Sequence, residues 1–356
     1  MNNIKRIQAA LAEKNLDAVL VTDEKNQRYA CGFPFTDGAV IVSREKAWLI
    51  TDSRYIEAAA DASAGCCEVQ MYDREHSLLS LIKAALKEAG VSRLGAEDRK
   101  LSYSEYVGYE RALGMCLEPA QDIFSTLRAS KSEEELVYLR EAQRISEKAL
   151  EETLAVIKPG MTEREVAAEL VYHMLKNGSE GNSFDPIVVT GSKTSLPHGV
   201  PGDKLIESGD FVTMDFGSLK GGYCSDMTRT VAVGSASDEM RNVYSIVLEA
   251  QLAGIAAARA GIPGKDIDGA ARSVIEKAGY GKYFGHGFGH SLGLDIHEAP
   301  NANPRGEAIM PVGAVVSAEP GIYIPGKFGV RIEDVMVLHE DGCEVITKAP
   351  KQLTIL

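Results

Sequence analysis

The stretch Gly209-Asp-Phe-Val-Thr-Met-Asp215 returns as Gly313-Ala-Val-Val-Ser-Ala-Glu319, and in both a carboxylate lies six residues beyond the glycine. By the two-residue period of a strand, Phe211, Thr213 and Asp215 share one face, while Val212, Met214 and Phe216 share the other. Val315, Ser317 and Glu319 repeat that arrangement. Each strand then runs into a turn rich in glycine or proline and comes back through a second acid. The first returns at Gly221-Gly-Tyr-Cys-Ser-Asp226, and the second passes Pro325-Gly326 to reach Gly329-Val-Arg-Ile-Glu333. Two hairpins with matching acids imply an internal duplication.

Working outward, residues 132 to 230 match 236 to 337 in the order of their elements, with a period of roughly one hundred residues. Ser132-Glu-Glu-Glu135 is a capping box that opens a long helical pattern reaching about Ile157, with Leu136, Leu139, Ala142, Ile145 and Ala149 on its apolar face. Lys158-Pro-Gly160 stops it, and Thr162-Glu-Arg-Glu165 opens the next helix. Gly261-Ile-Pro and Asp266-Ile mark the corresponding place in the second half. Ahead of the repeats, helices alternate with short strands, among them Leu16–Val21, Ala39–Val42 and Ala47–Ile50. That is the pattern of a small α/β domain. The expected division is residues 1–127 and 128–356. Thr51-Asp-Ser-Arg-Tyr55 reads as a helix start capped by Thr51 or Asp52.

Acids inside apolar strands are rare unless paired or metal-bound. Folding the two repeats face to face brings Asp215, Asp226, Glu319 and Glu333 together, and four like charges at contact range destabilise a fold unless cations sit among them. A binuclear cation site is the economical cause. Between the repeats lies Phe284-Gly-His286-Gly-Phe-Gly-His290-Ser-Leu-Gly293-Leu-Asp-Ile-His297-Glu298, which holds three of only seven histidines. Its spacing is that of neither a His-Glu-x-x-His helix nor a zinc finger. No Gly-Lys-Ser/Thr follows the glycines, so a P-loop is excluded, and no Gly-x-Ser-x-Gly elbow surrounds Ser195 or Ser317. His198, in Leu196-Pro-His198-Gly, sits just upstream of the first acidic hairpin. His76 and His173 carry no partner pattern and read as surface or structural residues.

Composition limits the alternatives. The 356 residues are 45% hydrophobic and 25% charged, and 38 Lys plus Arg against 51 Asp plus Glu leave a net charge of −13. Nothing here attracts nucleic acid or an anionic membrane, and no segment approaches the roughly 18 apolar residues of a membrane span. Six scattered cysteines without Cys-x-x-Cys spacing read as reduced thiols. With no export signal after Met1, a cytoplasmic protein is the expectation.

The ordered set Asp215, Asp226, His290, Glu319 and Glu333 resembles the prolidase, aminopeptidase P and methionine aminopeptidase superfamily, and the resemblance covers essentially the whole chain. It implies a creatinase/prolidase-type α/β N-terminal domain followed by an α+β duplicated "pita-bread" catalytic domain. It also implies that these five residues hold two divalent ions, with Asp226 and Glu333 reaching both, Asp215 and His290 serving opposite ions, and Glu319 completing the site. A water or hydroxide between the ions is then the nucleophile, Glu319 handles the proton, and His198 and His297 orient substrate and stabilise the tetrahedral intermediate. Carboxylate-rich ligation places Mn²⁺ first, ahead of Co²⁺, Zn²⁺ or Fe²⁺.

By the same resemblance His286, Arg331 and Tyr223 are substrate contacts, with His286 lining the pocket or supporting His290 and Arg331 also steadying the carboxylates, while Tyr223 and Arg229 stand around the first hairpin and Asp185 falls in a matching segment. The implied activity is release of the first residue from Xaa-Pro peptides by a homodimer, with Arg54 or Tyr55 near the subunit contact. Methionine aminopeptidase, creatinase-like and non-enzymatic readings are disfavoured by the large N-terminal domain and the intact ligand set. One departure stands out. Prolidase-like members often place arginine after His-Glu-Ala-Pro, where Asn301 stands here, which weakens a strict dipeptidase reading unless Arg305 substitutes for it.

Overall fold

The computed structural model describes residues 3–356, and the chain divides into two compact units, Met1–Arg128 and Ala129–Leu356. In the first, α1 (Ile4–Glu13), β1 (Ala18–Val21), α2 (Glu24–Cys31), β2 (Gly38–Ser43), β3 (Ala47–Thr51), α3 (Ile56–Ala62) and β4 (Glu68–Met71) are followed by α4 (Leu78–Glu88), β5 (Leu94–Ala96), α5 (Tyr103–Leu113), β6 (Leu117–Pro119) and α6 (Gln121–Ala129). The strands form one mixed sheet in the order β4-β3-β2-β1-β5-β6. β1 is antiparallel to β2 and parallel to β5. Its residues Val19 and Leu20 are fully buried, as are Ile41, Trp48 and Ile50. Near-continuous apolar strands are what a sheet covered on both faces requires.

The expected cap at Thr51 or Asp52 is displaced. Thr51 closes β3, and α3 starts at Ile56, after Asp52 has accepted backbone hydrogen bonds from Tyr55 and Ile56. The reason is pairing: Thr51 lies opposite Gly38 and Met71, so ladder bonds hold it in the sheet. Arg54 is exposed and paired with Asp52 and Asp37.

The second unit opens with α7 (Glu133–Leu154), α8 (Glu163–Lys176), β7 (Ile187–Thr190), β8 (Phe211–Phe216), β9 (Leu219–Lys220), β10 (Tyr223–Cys224) and β11 (Met227–Ala232). Ser132 and Thr162 cap their helices through full capping boxes. The second half supplies α9 (Asp238–Ala257), α10 (Gly264–Lys277), β12 (Gly289–Ser291), β13 (Glu298–Ala302), β14 (Val315–Ala318), β15 (Gly321–Ile324), β16 (Phe328–Arg331), β17 (Asp334–Leu338) and β18 (Cys343–Val345). The sheet orders β11-β8-β7 and β17-β14-β12 correspond, the latter flanked by β13 and β18. The duplication is therefore structural as well as sequential.

Alternation along the matched strands sorts their side chains. Val212, Met214 and Phe216 are fully buried in a core with Val166 and Leu170 of α8, while Val316 and Ala318 pack with Val243 and Val247 of α9. At roughly 1.5–3 kcal/mol for each large apolar side chain removed from water, these faces lock the strands to their helices. The opposite faces, carrying Thr213 with Asp215 and Ser317 beside Glu319, are left to meet each other.

Candidate metal centre

Asp215 ends the site face of β8, and Asp226 directly precedes β11. Glu319 directly follows β14, and Glu333 directly precedes β17. His290 is the middle residue of β12, whose close approach depends on Gly289: a Cβ there would lie 1.9 Å from the Ser317 carbonyl oxygen. With that approach, the His290 backbone N–H donates to Ser317 Oγ at 3.0 Å, and the hydroxyl donates in turn to Glu319 Oε1 at 3.1 Å. The His290 Nε2 atom faces Asp226 Oδ2 and Glu319 Oε1, each at 3.4 Å. One donor atom each from Asp226, His290 and Glu333 falls within 4.8 Å of the others.

The repeats support each other's acids. Arg331, on the second hairpin, donates to Asp215 Oδ2 of the first at 2.6 Å. Thr228, on the first, donates to Glu333 Oε2 of the second at 2.7 Å and accepts from Arg331 Nε at 3.0 Å. Arg229 binds the backbone carbonyl of Glu333 and reaches Asp334 Oδ1 at 2.8 Å, fastening the start of β17. Tyr323 joins Arg331 to His286, with its hydroxyl 2.9 Å from Arg331 Nη1 and 2.8 Å from His286 Nε2.

Electrostatics mark this cluster as short of positive charge. Burial raises the Asp215 carboxyl above its ordinary value, against the pull of Arg331. Asp226 is pushed up to about 7, first by burial and then by the charges of Asp215 and Glu319, although His290 opposes the rise. Glu333 lies well above the usual range through burial and the nearby Asp226, Glu319 and Asp215. Burial pulls His290 down, yet Asp226 and Glu319 outweigh it and carry the ring up to about 9. His286 and His297 are lowered chiefly by burial. Asp215 Oδ1 and Glu333 Oε1 are buried without a hydrogen-bond partner among the described residues. Buried carboxylate oxygens left unpaired on the lining that also carries an imidazole suit divalent cations.

The cluster floors a cavity of about 450 Å³ that is also lined by His198, His286, His297 and Arg331. Its apolar wall is Phe184, Ile187, Pro197 and Ile296, and Asn301 and Asn303 stand on the same lining. Two sequence expectations, for Tyr223 and Arg305, are corrected here. Tyr223 is not on the cavity: it is 1% exposed, stacked on Tyr138, with its hydroxyl 2.9 Å from Glu135, because β10 turns its ring toward α7. In the segment that matches the family, Asp185 is exposed, while Phe184 and Ile187 line the cavity. Arg305 is also exposed and outside the lining, so Asn303 rather than a shifted arginine accompanies Asn301. Sequence reading missed Tyr323, Thr228 and Ser317, whose one available signal was strand alternation from the neighbouring acids.

Comparison with known proteins follows the same division. Residues 137–340 match the model of metallopeptidase family M24, and residues 3–130 match the creatinase/prolidase N-terminal domain. The solved structure of an Xaa-Pro dipeptidase from Bacillus anthracis is 43% identical with a TM-score of 0.95 over 99% of both chains. The X-Pro aminopeptidase from Thermotoga maritima is 37% identical with a TM-score of 0.92, covering 96% of this chain and 98% of that one. The Xaa-Pro dipeptidase of Pyrococcus furiosus is 36% identical over 98% of this chain and 99% of its own. A chain with these two domain matches, full-length relatives and a duplicated pita-bread architecture belongs to metallopeptidase family M24.

Proposed function

We propose that this chain is a metal-dependent exopeptidase that hydrolyses the peptide bond before proline at the N-terminus of short peptides. The observation that carries this reading is the convergence of Asp215, Asp226, His290, Glu319 and Glu333 on one cavity, with two buried carboxylate oxygens lacking partners among the described residues. Asp226 and Glu333 would reach both of two divalent ions, Asp215 and His290 one each, and Glu319 would complete the set. When bound, the ions supply Lewis acidity and a water made nucleophilic at neutral pH. Mn²⁺ is the first choice for so carboxylate-rich a donor set, with Co²⁺, Zn²⁺ and Fe²⁺ as alternatives.

The chain's own residues do the rest. Glu319, oriented by the Ser317 hydroxyl, takes a proton at its carboxylate and passes it to the leaving nitrogen. His198 and His297 stand on the cavity wall to hold the scissile carbonyl. His286, fixed by Tyr323 and the Gly287 carbonyl, orders the same wall. Phe184, Ile187, Pro197 and Ile296 offer an apolar surface to a pyrrolidine ring and exclude water from it. Cytoplasmic location and a homodimer complete the reading; among the described residues no helix is long and apolar enough to cross a membrane.

Substrate length follows from the charge on the lining. Arg331 is engaged by Asp215, Thr228, Tyr323 and the Pro197 carbonyl, and Asn301 and Asn303 are neutral. A dipeptide's carboxylate thus gains no dedicated arginine here, and longer peptides are favoured. The Bacillus and Pyrococcus relatives are Xaa-Pro dipeptidases, which supports the second reading, a strict Xaa-Pro dipeptidase. An Xaa-Pro, Xaa-Pro-Yaa and longer Xaa-Pro series, assayed with added Mn²⁺, separates them. Release of the first residue from the longer peptides is expected, release from the dipeptide alone selects the second reading, and no release with metal occupancy verified overturns both.

A further inference from the structure

His297 stands on a short turn between β12 and β13, and its ring meets that of His290 edge to face at a centroid separation of 4.4 Å. The six-residue excursion Leu292–His297, between paired Ser291 and Glu298, is held at its start, where the Leu292 N–H donates to the Val315 carbonyl at 3.1 Å and the Gly293 carbonyl accepts the Cys224 N–H at 2.8 Å. Leu292 and Leu294 are buried, whereas Asp295 and Ile296 are part-exposed and His297 is exposed, so the second half of the turn takes its position from what fills it. What fills it is the Glu298 side chain, 7% exposed. Its Oε1 accepts the Asp295 backbone N–H at 3.1 Å, and both carboxylate oxygens lie so close to Gly293 that a Cβ there would come within 2.8 Å of them.

The other carboxylate oxygen, Oε2, receives Lys131 Nζ at 3.1 Å, and that lysine side chain is 1% exposed. Lys131 is itself anchored by its backbone, whose N–H donates to the Gly313 carbonyl at 2.9 Å at the turn that leads into β14 and Glu319. A buried lysine and glutamate together are no bargain for stability against apolar residues of the same volume. Their value lies in geometry: they tie the turn bearing His297 to the turn that leads into β14 and on to Glu319, and neither is on the cavity lining.

We propose that Lys131 and Glu298 form an internal brace, a pair of positioning residues that holds His297 against His290 for turnover. This rests on the Xaa-Pro exopeptidase reading only for the rate measurement. The brace predicts that Lys131→Met and Glu298→Gln each lower kcat about 10- to 100-fold with KM on an Xaa-Pro peptide within about threefold and metal content unchanged. Lys131→Arg restores most of the rate. The double variant is no worse than the poorer single one, because both remove the same link.

A second readout needs no turnover. In ¹⁵N-histidine NMR of the full chain loaded with diamagnetic Zn²⁺, the His297 ring signals, assigned by His297→Asn, shift or broaden in Glu298→Gln, while those of His76 and His339 stay in place. An unmoved His297 signal overturns the brace, as does a rate loss that merely follows lost metal or a KM rise with kcat retained. Should Lys131→Met fail to fold, the isosteric Glu298→Gln carries both measurements. If the unmodified chain cleaves no Xaa-Pro peptide, the functional reading falls and the NMR result still decides the brace.

Discussion

The two acidic hairpins descend from one pattern, yet they hold their acids differently. The first is short, with β9 and β10 joined by two residue pairs, and its stem is knitted by Ser146, Ser218 and Ser225 hydroxyls. The second is longer, with four residue pairs between β15 and β16, and it alone contributes the buried Arg331 and Tyr323. Among the described residues, the one guanidinium on the cavity lining thus belongs to the second hairpin but compensates Asp215 of the first. In exchange, the first hairpin's Thr228 steadies Glu333 of the second. A duplication supplies equal acids; the support beneath them is divided between the copies.

The largest effect should come from testing whether the acids themselves remain equivalent. Asp226→Asn and Glu333→Gln are each expected to lower kcat/KM by at least about 10³-fold, with metal content by mass spectrometry falling in parallel. Full activity or normal metal content in one but not the other would break the equivalence. Smaller losses should follow from removing the exchanged supports. Arg331→Met and Thr228→Val are expected to cost about 10- to 100-fold in metal affinity, read by competitive chelator titration. If Arg331→Met left affinity untouched, cross-support between the hairpins would be absent. The smallest effect belongs to the scaffold of the first hairpin: Tyr223→Phe removes the donor to Glu135, at about 1 kcal/mol. A melting temperature lowered by about 2–4 °C is expected with kinetic constants unchanged; a raised KM would return Tyr223 to the substrate.

The duplication was legible because two independent periodicities coincide, strand alternation within each hairpin and the hundred-residue return of the whole unit. The five candidate ligands, which the structure gathers on one cavity, rest on that frame and the family resemblance. The supports were less visible. Tyr323, in Gly321-Ile-Tyr-Ile324, reads as an ordinary hairpin residue until Arg331 is placed beside it. Lys131 and Glu298 are 167 residues apart and carry no shared motif. Tyr223 rests on the family resemblance alone: it lies three residues from Asp226, an odd separation that turns it to the opposite strand face, where it stacks on Tyr138 of α7. In the first unit, the strands could be read one by one, while the mixed order around β1 depends on long-range pairing that local pattern does not encode.

The approach of β12 to Ser317 through Gly289 also bears on engineering. A backbone carbonyl 1.9 Å from where any Cβ would sit cannot step aside as a side-chain tip can. For a library meant to reshape specificity, position 289 is closed, and diversity spent there returns only inactive clones. Phe184, Ile187 and Ile296 present side chains to the same cavity; Phe184 and Ile296 lie outside the strands, and Ile187 is the end residue of β7, opposite Asp215. The freedom to evolve new substrates therefore lies along one wall of the cavity, while the floor admits almost none.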